Sequence, residues 1–220
     1  MIRQLPLFPL NTILFPGATL NLHIFEERYR LMIGRCLEQR APFGVVLIRE
    51  GDEVSEGRIG ARPVEPYSVG TIAQISANMR LEDGRYLLTA VGQGRFRIQY
   101  LLQHAPYLVA SVVELADDVP AATAAAARDL RLTYDRYWQA VSAATGVAVQ
   151  AEELPHDPAA LSYQLAERLQ VPLERKQRWL EADLVSRLRE ITTDLKAELA
   201  ILPASRLRPG SGPAGMGNLN

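Results

Sequence analysis

The sequence predicts an α+β fold, with a β-rich N-terminal part over residues 1 to about 119 and a helical part over residues 120 to about 202. Three observations carry this. Up to residue 119 the chain is a succession of short apolar or alternating runs separated by Pro, Gly and Asp-Gly, the pattern of strands joined by turns. At Asp117-Asp118-Val119-Pro120 that pattern stops and an alanine-rich stretch begins. Beyond it, apolar residues recur at three- and four-residue spacing, the period of an amphipathic helix.

The first element is Leu5 to Tyr29, dense in Leu, Ile and Phe but interrupted by Pro6, Pro9, Pro16 and Gly17. Proline gives no N–H to a sheet ladder, so this reads as short, broken strands with a turn at Phe15-Pro16-Gly17. Thr19 to Ile24 alternates polar and apolar, as a strand with one face on a core does. From Glu26 to Gln39, the spacing of Tyr29, Met32, Ile33, Cys36 and Leu37 predicts a helix that Ala41-Pro42 ends. Phe43 to Ile48 is a continuous apolar run, hence a buried strand. Arg49 to Glu65, charged and glycine-bearing, reads as an exposed loop. Further strands are expected at Thr71–Ser76, Tyr86–Val91, Arg95–Tyr100 and Tyr107–Leu115, with a hairpin turn at Asp83-Gly84.

In the second half, Leu130, Tyr134, Tyr137, Trp138 and Val141 form one helical stripe. Asp157-Pro158 pairs an N-cap with a first-turn proline and opens a helix carrying Leu161, Leu165 and Leu169. A short helix follows over Pro172 to Leu180. Asp183 then caps the last one, striped by Leu184, Leu188, Ile191, Leu195, Leu199 and Leu202. That stripe is too short for a sustained coiled-coil seam, so packing within a local bundle is expected. Residues 203–220 hold too little apolar surface to offset ordering entropy and are expected to be a disordered tail.

LPLFPL at 5–10, LFPG at 14–17 and LNLHIFEERYR at 20–30, followed by a helix, resemble the N-terminal substrate-binding domain of Lon-type ATP-dependent proteases. More specifically they are similar to stand-alone bacterial proteins that carry this domain without the enzyme. Phe43 to Ile48 and Val91 to Ile98 match later motifs in the family's order, and the resemblance runs through about residues 5 to 200. Asn21 and Glu27 stand where the family pattern has prolines, a departure that touches local turn geometry. The resemblance implies a PUA-like pseudobarrel followed by a helical bundle. It also implies non-catalytic recognition of unfolded or exposed protein segments, as an adaptor, holdase or decoy. Two other classes compete: RNA binding, which PUA-like architecture also serves, and an enzyme working from a cleft between the two parts.

Charge argues against the nucleic-acid reading. Lys/Arg and Asp/Glu number 12 and 13 through residue 119, and 10 and 12 over residues 120–202, leaving no basic footprint. No apolar run approaches the roughly 20 residues that span a membrane. Nothing resembles a signal peptide, so a cytoplasmic location is expected. Cys36 is the sole cysteine, which excludes an internal disulfide and reads as a small buried side chain. His23, His104 and His156 are isolated, so no metal site and no cofactor are expected. Gly92-Gln93-Gly94 lacks the third glycine and the following helix of a dinucleotide loop, and no phosphate loop or G-x-S-x-G occurs. Lys176 and Lys196, the only lysines, lie among polar neighbours, unlike a peptidase dyad lysine. No catalytic residue is expected.

Of two candidate surfaces the favoured one is the proline-broken entry, where Phe15, Phe25 and Tyr29 supply aromatic anchors. Arg28 and Arg30 stand beside them to hold a carboxylate or carbonyl of an incoming segment. The cleft between the two parts is the other place for a docked segment. Burial of Phe25 and Tyr29 in the core is the plainer alternative, and self-association stays open.

Overall fold

The structure is a computed structural model describing residues 2–51, 64–146 and 153–201. In chain order its elements are β1 (Ile2–Leu10), β2 (Thr19–Ile24), α1 (Glu27–Gln39), β3 (Phe43–Glu50), β4 (Glu65–Pro66), β5 (Val69–Arg80), β6 (Tyr86–Gln103), β7 (Val109–Leu115), α2 (Thr123–Thr145), α3 (Pro158–Arg168), α4 (Leu173–Glu181) and α5 (Leu184–Ile201). The expected α+β order holds: strands with one early helix, then four helices.

The strands run β1-β7-β6-β5-β3 and close on themselves, because β1 also pairs with β3. Closure makes the expected pseudobarrel. Two sequence expectations are corrected here. β1 is not broken by its prolines. Over Ile2 to Pro6 it pairs antiparallel with β7, and from Leu7 to Leu10 it pairs parallel with β3. The strand changes partner at Pro6, where a lost donor disrupts neither ladder. Likewise Gly92-Gln93-Gly94 does not end a strand, since β6 runs through it. Ile72 pairs with Gly94 and Ala73 with Gly92, so Gln93 is the extra residue of a β-bulge. Gly92 is required by close approach: a Cβ there would lie 2.4 Å from the Phe15 carbonyl oxygen. Its N–H and C=O bond Ala18 O and Gly17 N, at 2.9 and 2.8 Å, which docks the Pro16-Gly17 turn onto the barrel.

α1 seals one side of the barrel, burying Tyr29, Met32, Ile33 and Cys36 against Phe8, Phe43, Val45 and Leu88. The helices α2–α5 gather Leu130, Leu161, Leu165, Trp179, Leu188, Ile191 and Leu195 into a core that continues into Ile13, Phe15, Leu47 and Val69. From Leu184 to Leu195 the α5 stripe is thus buried within the local bundle, as its spacing predicts, while Leu199 is half-buried. Both aspartate caps form: Asp157 accepts from Ala160 N at 2.7 Å and Asp183 from Ser186 N at 2.9 Å. Most of the expected 49–65 loop, the 203–220 tail and Leu202 lie outside the described residues.

Candidate functional site

Before the Gln93 bulge, the first half of β6 lies between β2 and the end of β5. Paired residues of antiparallel strands share a face. His23, Leu87 and Met79 therefore form one outward row, and Asn21, Thr89 and Ala77 the next. Leu88 and Ala90 point the other way and are buried. The outward face bears a groove of about 470 Å³ lined by these residues. Met79 is 61% exposed, Leu87 44% and Phe25, just beyond β2, 49%. Thr89 Oγ1 donates to Asn21 Oδ1 at 2.8 Å, which ties β2 to β6 within the second row. The Phe25 ring stands 5.9 Å from that of His23, extending the apolar row toward α1.

The hairpin at the end of this face is held from α1. Gly84 takes a φ of +81°, which glycine adopts without strain, and Arg30 Nε donates to its carbonyl at 3.0 Å. Asp83 accepts from the Arg85 backbone N–H and from its Nε, which holds its carboxyl below the usual range. The turn signal in the sequence thus builds the tip of the exposed face.

The five residues expected at the proline-broken entry do not share a surface. Phe15 is fully buried at the junction of barrel and bundle, 6.2 Å from the Tyr163 ring. Tyr29 is buried with its ring 4.2 Å from that of Phe8. Neither can touch a segment while the fold is closed, because each faces the core along its own element. Arg28 is occupied by the buried Glu26 carboxylate at 2.8 Å and lies 4.5 Å over the Tyr29 ring. Arg30 is the hairpin clamp. Phe25 alone of the five remains an exposed apolar side chain. Met79 and Leu87 escaped the sequence reading; the alternation around the Asp-Gly turn marks both strands but does not say which face looks outward.

The cleft between barrel and bundle is real but narrow. A concavity of about 330 Å³ lies between Pro16-Gly17-Ala18 and Tyr163, Gln164, Glu167 and Arg168 of α3. Beneath it the junction is closed by a charge cluster. Asp117 accepts from Arg95 at 2.7 Å, from Arg187 at 2.9 Å and from the Tyr163 hydroxyl at 2.5 Å. Arg187 is wholly buried, donates to Ser162 Oγ and the Ala182 carbonyl, and stacks 4.1 Å over the Tyr163 ring. Arg95 reaches the Leu180 and Ala182 carbonyls at 2.8 and 2.7 Å. Such a cluster has the geometry of a fastening, with most of its donors on carbonyls, a hydroxyl and a carboxylate and the buried Arg95 Nε left without a partner among the described residues.

Burial pushes the Cys36 thiol up to about 11, away from a reactive thiolate. Burial lowers Lys176, but its ammonium is held by the Glu167 carbonyl at 2.8 Å, and Lys196 pairs with Asp129 at 3.0 Å. Among the described residues no group of three His, Cys, Asp or Glu could hold a metal ion, and no helix is long and apolar enough to cross a membrane.

Comparison with known proteins agrees with this architecture. The family model of the ATP-dependent protease La (LON) substrate-binding domain matches residues 4–197. Lon protease 2 of Myxococcus xanthus is 28% identical over 208 residues, which is 92% of this chain and 24% of that protein. Lon protease of Heliobacterium modesticaldum is 29% identical over 212 residues, 93% of this chain and 25% of that protein. The chain therefore spans about a quarter of the length of these relatives. Among solved structures, a Lon N-terminal domain protein from Xanthomonas campestris aligns with a TM-score of 0.58 at 26% identity, over 91% of this chain and 99% of that one. The N-terminal domain of Mycobacterium avium complex Lon protease shares the fold, with a TM-score of 0.58 at 19% identity over 89% and 99%. With nearly its whole length matched by the family model, the chain belongs to the family of the Lon protease substrate-binding domain.

Proposed function

We propose that this chain recognises exposed or unfolded protein segments without chemistry of its own, as an adaptor or holdase in the cytoplasm. The observation that supports this is the outward row of Phe25, Leu87 and Met79 on a chain whose family is a substrate-binding domain. Apolar side chains clustered on a sheet face, over a groove, suit a partner that presents its own apolar residues. The polar row of Asn21 and Thr89 beside them can bond the partner's main chain. Balanced charge speaks against a phosphate-driven partner.

The test is a titration of fluorescent, unfolded casein with the wild type and with the Met79→Ser/Leu87→Ser double variant. Affinity is expected to fall about tenfold or more in the variant, the scale of losing two apolar contacts. Its melting temperature should stay near that of the wild type, since both residues are exposed. Equal binding by the two proteins would remove this face from the reading. No casein binding, together with tight and salt-sensitive binding to structured RNA, would replace the reading altogether.

A further inference from the structure

A third concavity, of about 330 Å³, shares no residue with that face. Its floor is apolar, formed by Leu5, Met32 and Val109, with the first two fully buried. Its rim carries the guanidiniums of Arg3 and Arg35 and the amides of Gln4 and Gln39, and among the described residues no carboxylate lines it. Arg35 donates to the Tyr107 hydroxyl at 2.9 Å and has no carboxylate partner among the described residues. Arg3 lies 3.5 Å from Glu114, a pair open to water on both sides and therefore weak. The site thus holds cationic charge over an apolar floor with little to neutralise it.

The same place exposes a strand edge. β1 pairs with β7 over Ile2 to Pro6 but meets β3 only from Leu7 onward. Leu7 N–H bonds the Leu108 carbonyl at 2.8 Å, on the β7 side. Strand alternation then turns the N–H and C=O of Gln4 to the opposite edge, which β3 does not cover. Ala41-Pro42, the approach to β3, forms a wall of the concavity instead of continuing the ladder.

We propose that this concavity binds an extended polypeptide segment in which an acidic side chain neighbours an apolar one. The segment adds to the free edge of β1 at Gln4, its apolar side chain sits over Leu5 and Met32, and its carboxylate is held by Arg35 and Arg3. The proposal rests on the reading of the chain as a protein-recognition module and names the segment chemistry that a separate surface selects. Charge complementarity decides the occupant: two guanidiniums without a lining acid favour an acidic segment over a neutral or basic one.

The probe is acetyl-Leu-Asp-Leu-Val-amide carrying a fluorophore, compared with its Asn-for-Asp twin. The Asp peptide is expected to bind wild type about tenfold or more tightly than the Asn peptide, the scale of a charge-assisted hydrogen bond. Arg35→Gln, a change at an exposed residue, should erase that difference, and Arg35→Lys should restore part of it. Equal affinity for the two peptides or an unaffected Arg35→Gln variant would each overturn the proposal. If unfolded casein still binds wild type in that case, the broader recognition reading survives; if neither binds, both fall.

Discussion

Phe15 and Phe25 are ten residues apart, the same side chain beside the same proline-rich entry, and the fold gives them opposite fates. Phe15 is fully buried where barrel meets bundle, whereas Phe25 is half exposed beyond the end of β2. The regions around them differ in the same way. At the junction, arginines are buried and held: Arg95 and Arg187 share Asp117 and bond carbonyls at the end of α4 and before α5. At the open face, arginines lie at the margin and clamp a hairpin, while Met79 and Leu87 look outward. The lesson concerns burial more than residue type. A shared apolar core makes the junction a structural seam, and leaves the free end of the β2–β6–β5 layer as the place where apolar surface is available for a partner.

The strongest way to break this contrast is to truncate the buried aromatic. Phe15→Ala is expected to cost about 3–5 kcal/mol, the range for aromatic truncation in a core that cannot fully collapse. Its ring packs beside Tyr163 and its carbonyl lies against Gly92, so barrel and bundle should both loosen. Urea denaturation followed by tryptophan fluorescence measures this, with Trp179 in the same core as a native reporter. A loss below about 1 kcal/mol would mean that the junction is not a shared core.

An intermediate effect is expected from the polar part of that junction. Tyr163→Phe keeps the ring and removes only the hydroxyl that donates to Asp117, a bond to a charged acceptor worth about 1.5–3 kcal/mol. It should also change the alkaline limb of stability. Burial raises the Tyr163 hydroxyl well above the usual tyrosine range, and the bond to Asp117 adds to this while Arg187 opposes it. A raised folded-state pKa stabilises the protein fully below the unfolded value of about 10, and this contribution is lost as pH climbs from there through the folded value. Wild-type stability should therefore fall above about pH 10, and Tyr163→Phe should fall less steeply. Parallel curves would assign the alkaline loss to other groups.

What the sequence made legible was local. Asp157 and Asp183 announced their helices by cap chemistry, Asp83-Gly84 announced its hairpin, and the leucine stripe of α5 announced a buried face. Each of these signals is complete within a few residues. What stayed hidden depends on distant partners. Pro6 interrupts nothing because β1 changes neighbours there, which requires β7 and β3 to be in place. The pairing of Asp117 with Arg187 spans seventy positions. Of the five residues at the proline-broken entry, Phe25 alone remained an open apolar side chain, since facing inward or outward is decided by what α1 and the bundle cover. The family likeness was readable because its motifs are contiguous, whereas the outward row of Leu87 and Met79 arises only when β5 and β6 pair.

The smallest expected stability change is also the sharpest test of the open face. Phe25 follows β2 and precedes α1, where its ring leans toward His23 and half of it meets water. Removing a side chain so exposed should change stability by no more than about 0.5 kcal/mol, as most surface substitutions do. If the row of Phe25, Leu87 and Met79 is the recognition surface, Phe25→Ala should still weaken binding of unfolded casein measurably, because the ring would be fully desolvated only in the complex. Aromatic anchors at the centre of a contact commonly cost more than about 1 kcal/mol when truncated, a drop of roughly fivefold or more. The measurement is one affinity titration and one melting curve on the same preparation. An unchanged melt with weakened binding places Phe25 in the contact. An unchanged melt with unchanged binding would leave Met79 and Leu87 to carry recognition without it, and a collapsed melt would mean that Phe25 holds the entry to α1 more firmly than its exposure allows.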